Sequence, residues 1–304
     1  MAMGEGALAG DAGVSEQVVL LGPRKAMVGV LAQPAGGGAA AGLPIVVLLN
    51  AGVIHRVGPN RMHVALARTL AREGYSVLRF DLSGLGDSPP REDALSPFES
   101  ALADVREVLD SLEAARGPVQ AVLVGLCSGA DQAVFYSGQD PRVVGAVLID
   151  PSVPRTRRFY LNHYGRRVLR ARSWANVLSG RHAMFRRRGA LAPQNDFAAQ
   201  QDAASAAQID TPETRALLEK AYQAAVDQGV RLLAVCTADR ETRLNYREQL
   251  LEALPNVRFG DSLRLEWFGE ADHTFTMEAE RVALLRLIVQ WVRDGWGAGV
   301  QAAA

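Results

Sequence analysis

Short apolar runs alternate along this chain with longer segments whose apolar residues recur at helical spacing. The runs are QVVLL, MVGVL, PIVVLLN, YSVLRF, VQAVLVG, VVGAVLID, RLLAVCT and LRLEWFG. Such alternation predicts an α/β fold, a mainly parallel eight-stranded sheet with helices on both faces. Only GPRKA separates the first two runs, near residues 17 to 32, so they are expected to form an antiparallel hairpin at the sheet edge. The AGGGAAAG stretch that follows reads as an exposed loop. Covering helices are marked by Met62, Leu66 and Leu70, and by Phe98, Leu102, Val105, Leu109 and Leu112.

The alternation stops from about Ser152 to Gly229, where helical patterning rich in Arg, Ala and Gln takes over. Because RLLAVCT then resumes the strand pattern, the expected organisation is one core, residues 1–151 and 230–304, with a helical cap inserted at residues 152–229. A separate domain in that stretch is the alternative.

Composition narrows the function classes. With 33 basic and 33 acidic residues the formal charge is zero, so the global balance calls for neither a nucleic acid nor a membrane partner. MAMGEGALAGDAG has neither the basic start nor the apolar centre of a signal peptide, and no apolar run approaches the roughly 20 residues needed to cross a bilayer. A cytoplasmic protein is expected. The two cysteines, Cys127 and Cys236, cannot build a disulfide framework. No metal or cofactor is expected.

The segment VQAVLVGLCSGADQAVFY reads as strand, sharp turn and helix, with Gly125, Leu126, Cys127, Ser128 and Gly129 at the turn. This is the spacing of a nucleophile elbow, G-x-S-x-G, with cysteine in the middle position usually held by serine. Flanking glycines let the helix pack closely on the strand, and the middle side chain projects from the corner. Cys127 is therefore the expected nucleophile, and Ser128, one position out of register, the weaker option. Most lone cysteines are merely small buried residues, but the strand-turn-helix setting favours the reactive reading here. The backbone N–H of Ser128 is expected to be one oxyanion donor, and the helix N-terminus to favour the thiolate.

A thiol of ordinary pKa about 8.5 needs a base within hydrogen-bond reach and an acid to orient that base. Among the histidines, His273 in GEADHTFT has the right context, beyond the last strand run and before the final helical segment. Asp239, after RLLAVCT, is the preferred acid because Cys127, Asp239 and His273 follow the order nucleophile, acid, histidine. Asp150, ending VVGAVLID, is the rival, and both would lie at the carboxyl edge of the sheet. After PIVVLLN, Ala51 is expected to give the second oxyanion donor, while His55 and Arg56 continue that loop toward substrate. DLSGLGDS should brace the same edge, with Asp81 and Asp87 structural, as is Cys236.

Taken together, the elbow, the oxyanion loop, the DxxGxGDS connection and the late Asp and His resemble the α/β-hydrolase superfamily over nearly the whole chain. More narrowly, NAGVIHRVGPNR, VLRFDLSGLGDS, GLCSGA and FYLNHYGRRVLRARSWANVLSGR resemble the exosortase A system-associated hydrolases of bacterial exopolysaccharide clusters. Those relatives often carry GLCDGA, so Ser128 departs from their pattern while the cysteine is kept. Dienelactone hydrolases, which also place cysteine at this elbow, imply that a Cys, Asp, His set can attack activated esters.

Between Ser152 and Ala190 stand eleven arginines and no Asp or Glu. Arched over the crevice, these guanidinium groups would suit an anionic substrate, a coenzyme A thioester or an acyl carrier protein. A solvated face paired with acids elsewhere explains them equally well. Tyr160, Tyr164 and Trp174 are spaced to line an acyl pocket, or to be ordinary core contacts. The expected activity is acyl transfer from a small-molecule ester or thioester through an acyl-cysteine, ending on water or another acceptor. A noncatalytic protein that binds an anionic or acyl ligand in the same fold is the alternative.

Overall fold

The computed structural model of the chain describes residues 13–36, 42–168, 209–238 and 243–297. Eight strands form one sheet: β1 (Val14–Leu21), β2 (Met27–Pro34), β3 (Ile45–Leu48), β4 (Val77–Phe80), β5 (Ala121–Leu126), β6 (Val143–Ile149), β7 (Arg231–Thr237) and β8 (Leu263–Phe268). Their spatial order is β1-β2-β4-β3-β5-β6-β7-β8. β2 runs antiparallel to β1 and β4, and every other pairing is parallel, as the eight apolar runs predict.

Strands β3 to β6 are apolar almost throughout because the sheet is covered on both sides, which leaves no face for polar residues. Alternate residues serve opposite cores. Val47, Leu78, Leu123 and Leu148 pack with α2 (Pro97–Arg116), α3 (Ser128–Ser137) and α5 (Pro212–Asp227). Val46, Val77, Val122 and Val147 pack with α1 (Met62–Arg72) and α7 (Glu278–Trp296). Helix α2 starts where Ser96 and Glu99 form a capping box with Pro97 in the first turn.

Two further helices, α4 (Arg157–Val168) and α6 (Gln249–Ala253), lie after β6 and after β7. Helix α5 falls inside the stretch expected to be a cap, yet it belongs to the sheet's own covering layer. Its Leu218, Tyr222 and Ala225 join the core, and it crosses α3 so closely that a Cβ on Gly138 would meet Ala224. Of the stretch expected to be a cap, residues 169–208 lie outside the described residues. The base of α4 is anchored: Asn245 Nδ2 donates to the Phe159 carbonyl at 3.0 Å, and Arg158 pairs with Glu252 at 2.9 Å. Among the described residues no helix is long and apolar enough to cross a membrane, and no cluster of His, Cys, Asp and Glu is placed to hold a metal ion.

Chain order reverses direction across β4-β3-β5: the connection after β3 leads to one side, and β5 lies on the other. In an open α/β sheet the crevice at such a point is where ligands bind. The carboxyl ends of β3 and β5 deliver Asn50, Ala51 and Cys127 to that place.

Candidate active site

Cys127 has φ 58° and ψ −119°, a conformation that a side chain adopts only under strain. It still belongs to the strand, since its N–H donates to the Ile149 carbonyl at 2.9 Å, and it already starts the helix, since its carbonyl accepts from Ala130 and Asp131. Both flanking glycines are obligatory. A Cβ on Gly125 would lie 2.1 Å from the Gly129 backbone, and one on Gly129 would lie 2.6 Å from the Asn50 carbonyl oxygen. Cys127 stands partly exposed at this corner.

Ser128 is turned elsewhere. Its Oγ accepts from the Gly52 amide at 2.9 Å, tying the loop after β3 to the first turn of α3. That bond occupies the Gly52 N–H; Ala51, the residue expected from sequence to give an oxyanion donor, immediately precedes it. The Ser128 N–H is the first of α3, and the leading amides of a helix have no partner within it.

His273, between β8 and α7, places Nδ1 2.7 Å from Oδ2 of Asp150. Asp150 directly follows β6 with φ 45°, a left-handed conformation that Asp tolerates better than most residues. Its carboxylate is fully buried and also accepts from the Thr237 N–H and the Thr237 hydroxyl, both at 2.7 Å. The carboxylate against His273 is therefore the one given second place from sequence. Asp239 lies outside the described residues. β6 and β7 are adjacent, so the ends of both approach the same histidine; the order of motifs alone could not choose between them. Thr237 was not anticipated, although a hydroxyl ending the apolar run RLLAVCT is a legible signal.

Asp272, next to the histidine, is occupied by its own turn, accepting from the Thr274 amide and hydroxyl and the Thr276 amide. Burial pushes its carboxyl up, but the Thr274 and Thr276 hydrogen bonds outweigh that and hold it below the usual range. Cys236 is enclosed in β7, where burial and the nearby Asp150 push its thiol well above the ordinary value.

Arg56, expected to face substrate, bridges the loops instead. Its guanidinium pairs with Asp81 and, at 2.6 Å, with Asp87, while its backbone N–H donates to Asp81 Oδ1 at 2.6 Å. Burial lowers its pKa, but the bonds to Asp87 and Asp81 raise it further. Asn50, buried beside them, accepts from the Leu82 N–H and donates to the Ile54 carbonyl. His55 stands exposed on the same loop. Tyr160 and Tyr164 stack on each other along α4, with ring centroids 6.3 Å apart, and are both about half exposed. Trp174 lies outside the described residues. Of the arginines in the basic stretch, Arg155 and Arg158 pair with Asp210 and with Glu248 and Glu252.

The family model for the alpha/beta hydrolase family matches residues 46–285. Among solved structures, the chain is similar to a cold-adapted esterase from an Arctic intertidal metagenomic library, at 16% identity and TM-score 0.54, covering 95% of this chain and 99% of that one. The Pyrococcus furiosus esterase PF2001 is similar at 13% identity and TM-score 0.56, covering 93% and 90%. A meta-cleavage product hydrolase from Pseudomonas fluorescens IP01 is similar at 15% identity and TM-score 0.53, covering 92% and 98%. At these identities the likeness is one of fold. No curated protein sequence matches the chain.

Proposed function

Because the chain belongs to the α/β hydrolase family, we propose that it is an acyl-transfer enzyme acting on a small-molecule ester or thioester through Cys127, His273 and Asp150. The observation that carries this reading is a thiol at a strained strand-to-helix corner after β5, with the buried carboxylate that follows the adjacent β6 holding Nδ1 of a histidine. Asp150 accepts the Nδ1 proton of His273, which leaves Nε2 as the basic nitrogen. His273 takes the proton from the Cys127 thiol, and the thiolate attacks the acyl carbon. Amides of Ala51 and Ser128 hold the oxyanion.

Collapse of the tetrahedral adduct breaks the bond to the leaving oxygen or sulfur, which takes the proton now on His273. An acyl-cysteine remains. Water, deprotonated by His273, then attacks the thioester, and the acid departs as Cys127 is regenerated; an alcohol or thiol in place of water gives transfer instead. Coenzyme A or a carrier-bound acyl group is a reasonable thioester donor, and the support for it is the arginine-rich stretch after β6. The narrower resemblance to exosortase-associated hydrolases fits an ester substrate from a saccharide or lipid intermediate.

The test is hydrolysis of p-nitrophenyl esters and acyl N-acetylcysteamine thioesters of several chain lengths. Wild type should turn over at least one series, with activity lost in Cys127→Ala and His273→Ala. Full activity in Cys127→Ala would defeat the reading.

A further inference from the structure

A cavity of about 380 Å³ opens beside the elbow, between the loop after β3, the loop after β4 and the first turns of α2 and α3. Gly52 and Ser128 close its elbow end. Leu82, Leu85, Pro97, Phe98 and Ala101 give it an apolar wall. Phe98 carries the helical spacing of a core residue, yet it lines this space, is 38% exposed, and makes a T-shaped contact with Phe135 at 5.1 Å between ring centroids.

One polar group in that wall is out of place. Gln132 is 8% exposed, lines the cavity, and its Oε1 has no hydrogen-bond partner among the described residues. A buried amide left unpaired is costly, and most such groups in folded proteins have a partner. Asp104, the other polar residue deep in the wall, is already satisfied by the Ser83 amide and hydroxyl and by Arg91.

We propose that this cavity is the acyl pocket of the site and that it selects an acyl arm bearing a hydroxyl group, which pairs with the Gln132 amide. This rests on the acyl-transfer reading above and specifies its substrate class. By water's share of liquid volume, the space holds about a dozen non-hydrogen atoms. Gln132 lies one helical turn beyond Ser128, about 6 Å deeper along α3, so the hydroxyl belongs several bonds beyond the reacting carbonyl. The terminal torsion of Gln is broad, so either end of the amide can turn to the ligand. A hydroxyl both donates and accepts, and it satisfies either end.

The experiment compares kcat/KM for p-nitrophenyl hexanoate and p-nitrophenyl 6-hydroxyhexanoate in wild type, Gln132→Leu and Phe98→Ala. Wild type should prefer the hydroxylated ester by about fivefold, up to about tenfold, the factor one hydrogen bond of ordinary net strength supplies. Gln132→Leu should erase or reverse that preference, and Phe98→Ala should shift the chain-length optimum upward. An unchanged ratio in Gln132→Leu would overturn the proposal. If wild type cleaves neither ester, the pocket is tested alone by calorimetric titration of Cys127→Ala protein, and the acyl-transfer reading fails only if every ester and thioester series above is also inert. Tighter binding of 6-hydroxyhexanoate than hexanoate, lost on adding Gln132→Leu, supports the pocket; equal binding of the two acids overturns it.

Discussion

His273 is held through Nδ1 by Asp150 at 2.7 Å, and the same carboxylate takes two further hydrogen bonds from Thr237. The histidine is thus oriented by a group that is itself fixed by the ends of two neighbouring strands. Asp150→Asn removes the charge that stabilises an imidazolium and favours the wrong tautomer. The expected result is a fall in kcat of about 10²–10⁴, whereas Asp239→Asn stays close to wild type. Steady-state kinetics on the two variants, with their thermal midpoints recorded, check this; the opposite ranking would make Asp239 the acid.

The Ser128 hydroxyl holds the Gly52 amide and so fixes the neighbouring Ala51. Ser128→Ala should lower kcat about tenfold with little change in KM, less than the loss of a whole oxyanion donor. Ser128→Thr, which keeps the hydroxyl, should restore most of it. An Ala variant with wild-type kcat would show that the loop needs no such tie.

Asp81 is fully buried and gathers Arg56, the Asp87 amide and Asn50. Gly86, at φ 51°, passes so near that a Cβ would lie 2.3 Å from Asp81 Oδ2. Removing one partner of a buried ion pair costs about 3–5 kcal/mol, less here because Arg56 keeps some solvent contact. Asp81→Ala is therefore expected to lose about 2–3 kcal/mol in urea unfolding, and Gly86→Ala should also destabilise. Two variants as stable as wild type would contradict the clamp.

Much of this architecture is legible in the chain itself. The eight apolar runs became eight strands, the central ones apolar throughout because the sheet there is covered on both faces, and GLCSGA became an elbow because Gly125 and Gly129 each face backbone at contact distance. What could not be read was which partners meet across the sheet edge. Asp150 and Asp239 both follow strands that end beside His273, and sequence order favoured the one that lies outside the described residues. Arg56 looked available to a ligand because the loop carrying Asp81 and Asp87 comes 25 residues or more later in the chain. Residues 212–227 looked like part of a cap because an amphipathic helix has the same periodicity wherever it packs.

Acid sensitivity should have a specific source in His63. Burial, and secondarily the charge of Arg79, pushes its imidazole down to about 4, and its Nδ1 has no hydrogen-bond partner among the described residues. In the unfolded chain the imidazole titrates near 6.5. Below that pH the unfolded state takes up a proton that the folded state refuses, so this contribution to stability is intact above about 6.5 and lost as pH falls toward 4, about 3 kcal/mol in all. Urea unfolding at pH 7 and pH 4.5 should show a smaller pH-dependent loss in His63→Leu than in wild type. Equal losses would assign the sensitivity to other groups.

The central claim is a covalent acyl group on Cys127, and intact-mass analysis after brief exposure to an activated ester or thioester tests it most directly. Wild type should gain one acyl mass, mapped to the peptide containing Cys127, that decays as substrate is exhausted, and Cys127→Ala should gain none. An adduct that persists in Cys127→Ala, or that maps to Ser128 or Cys236, would contradict the account.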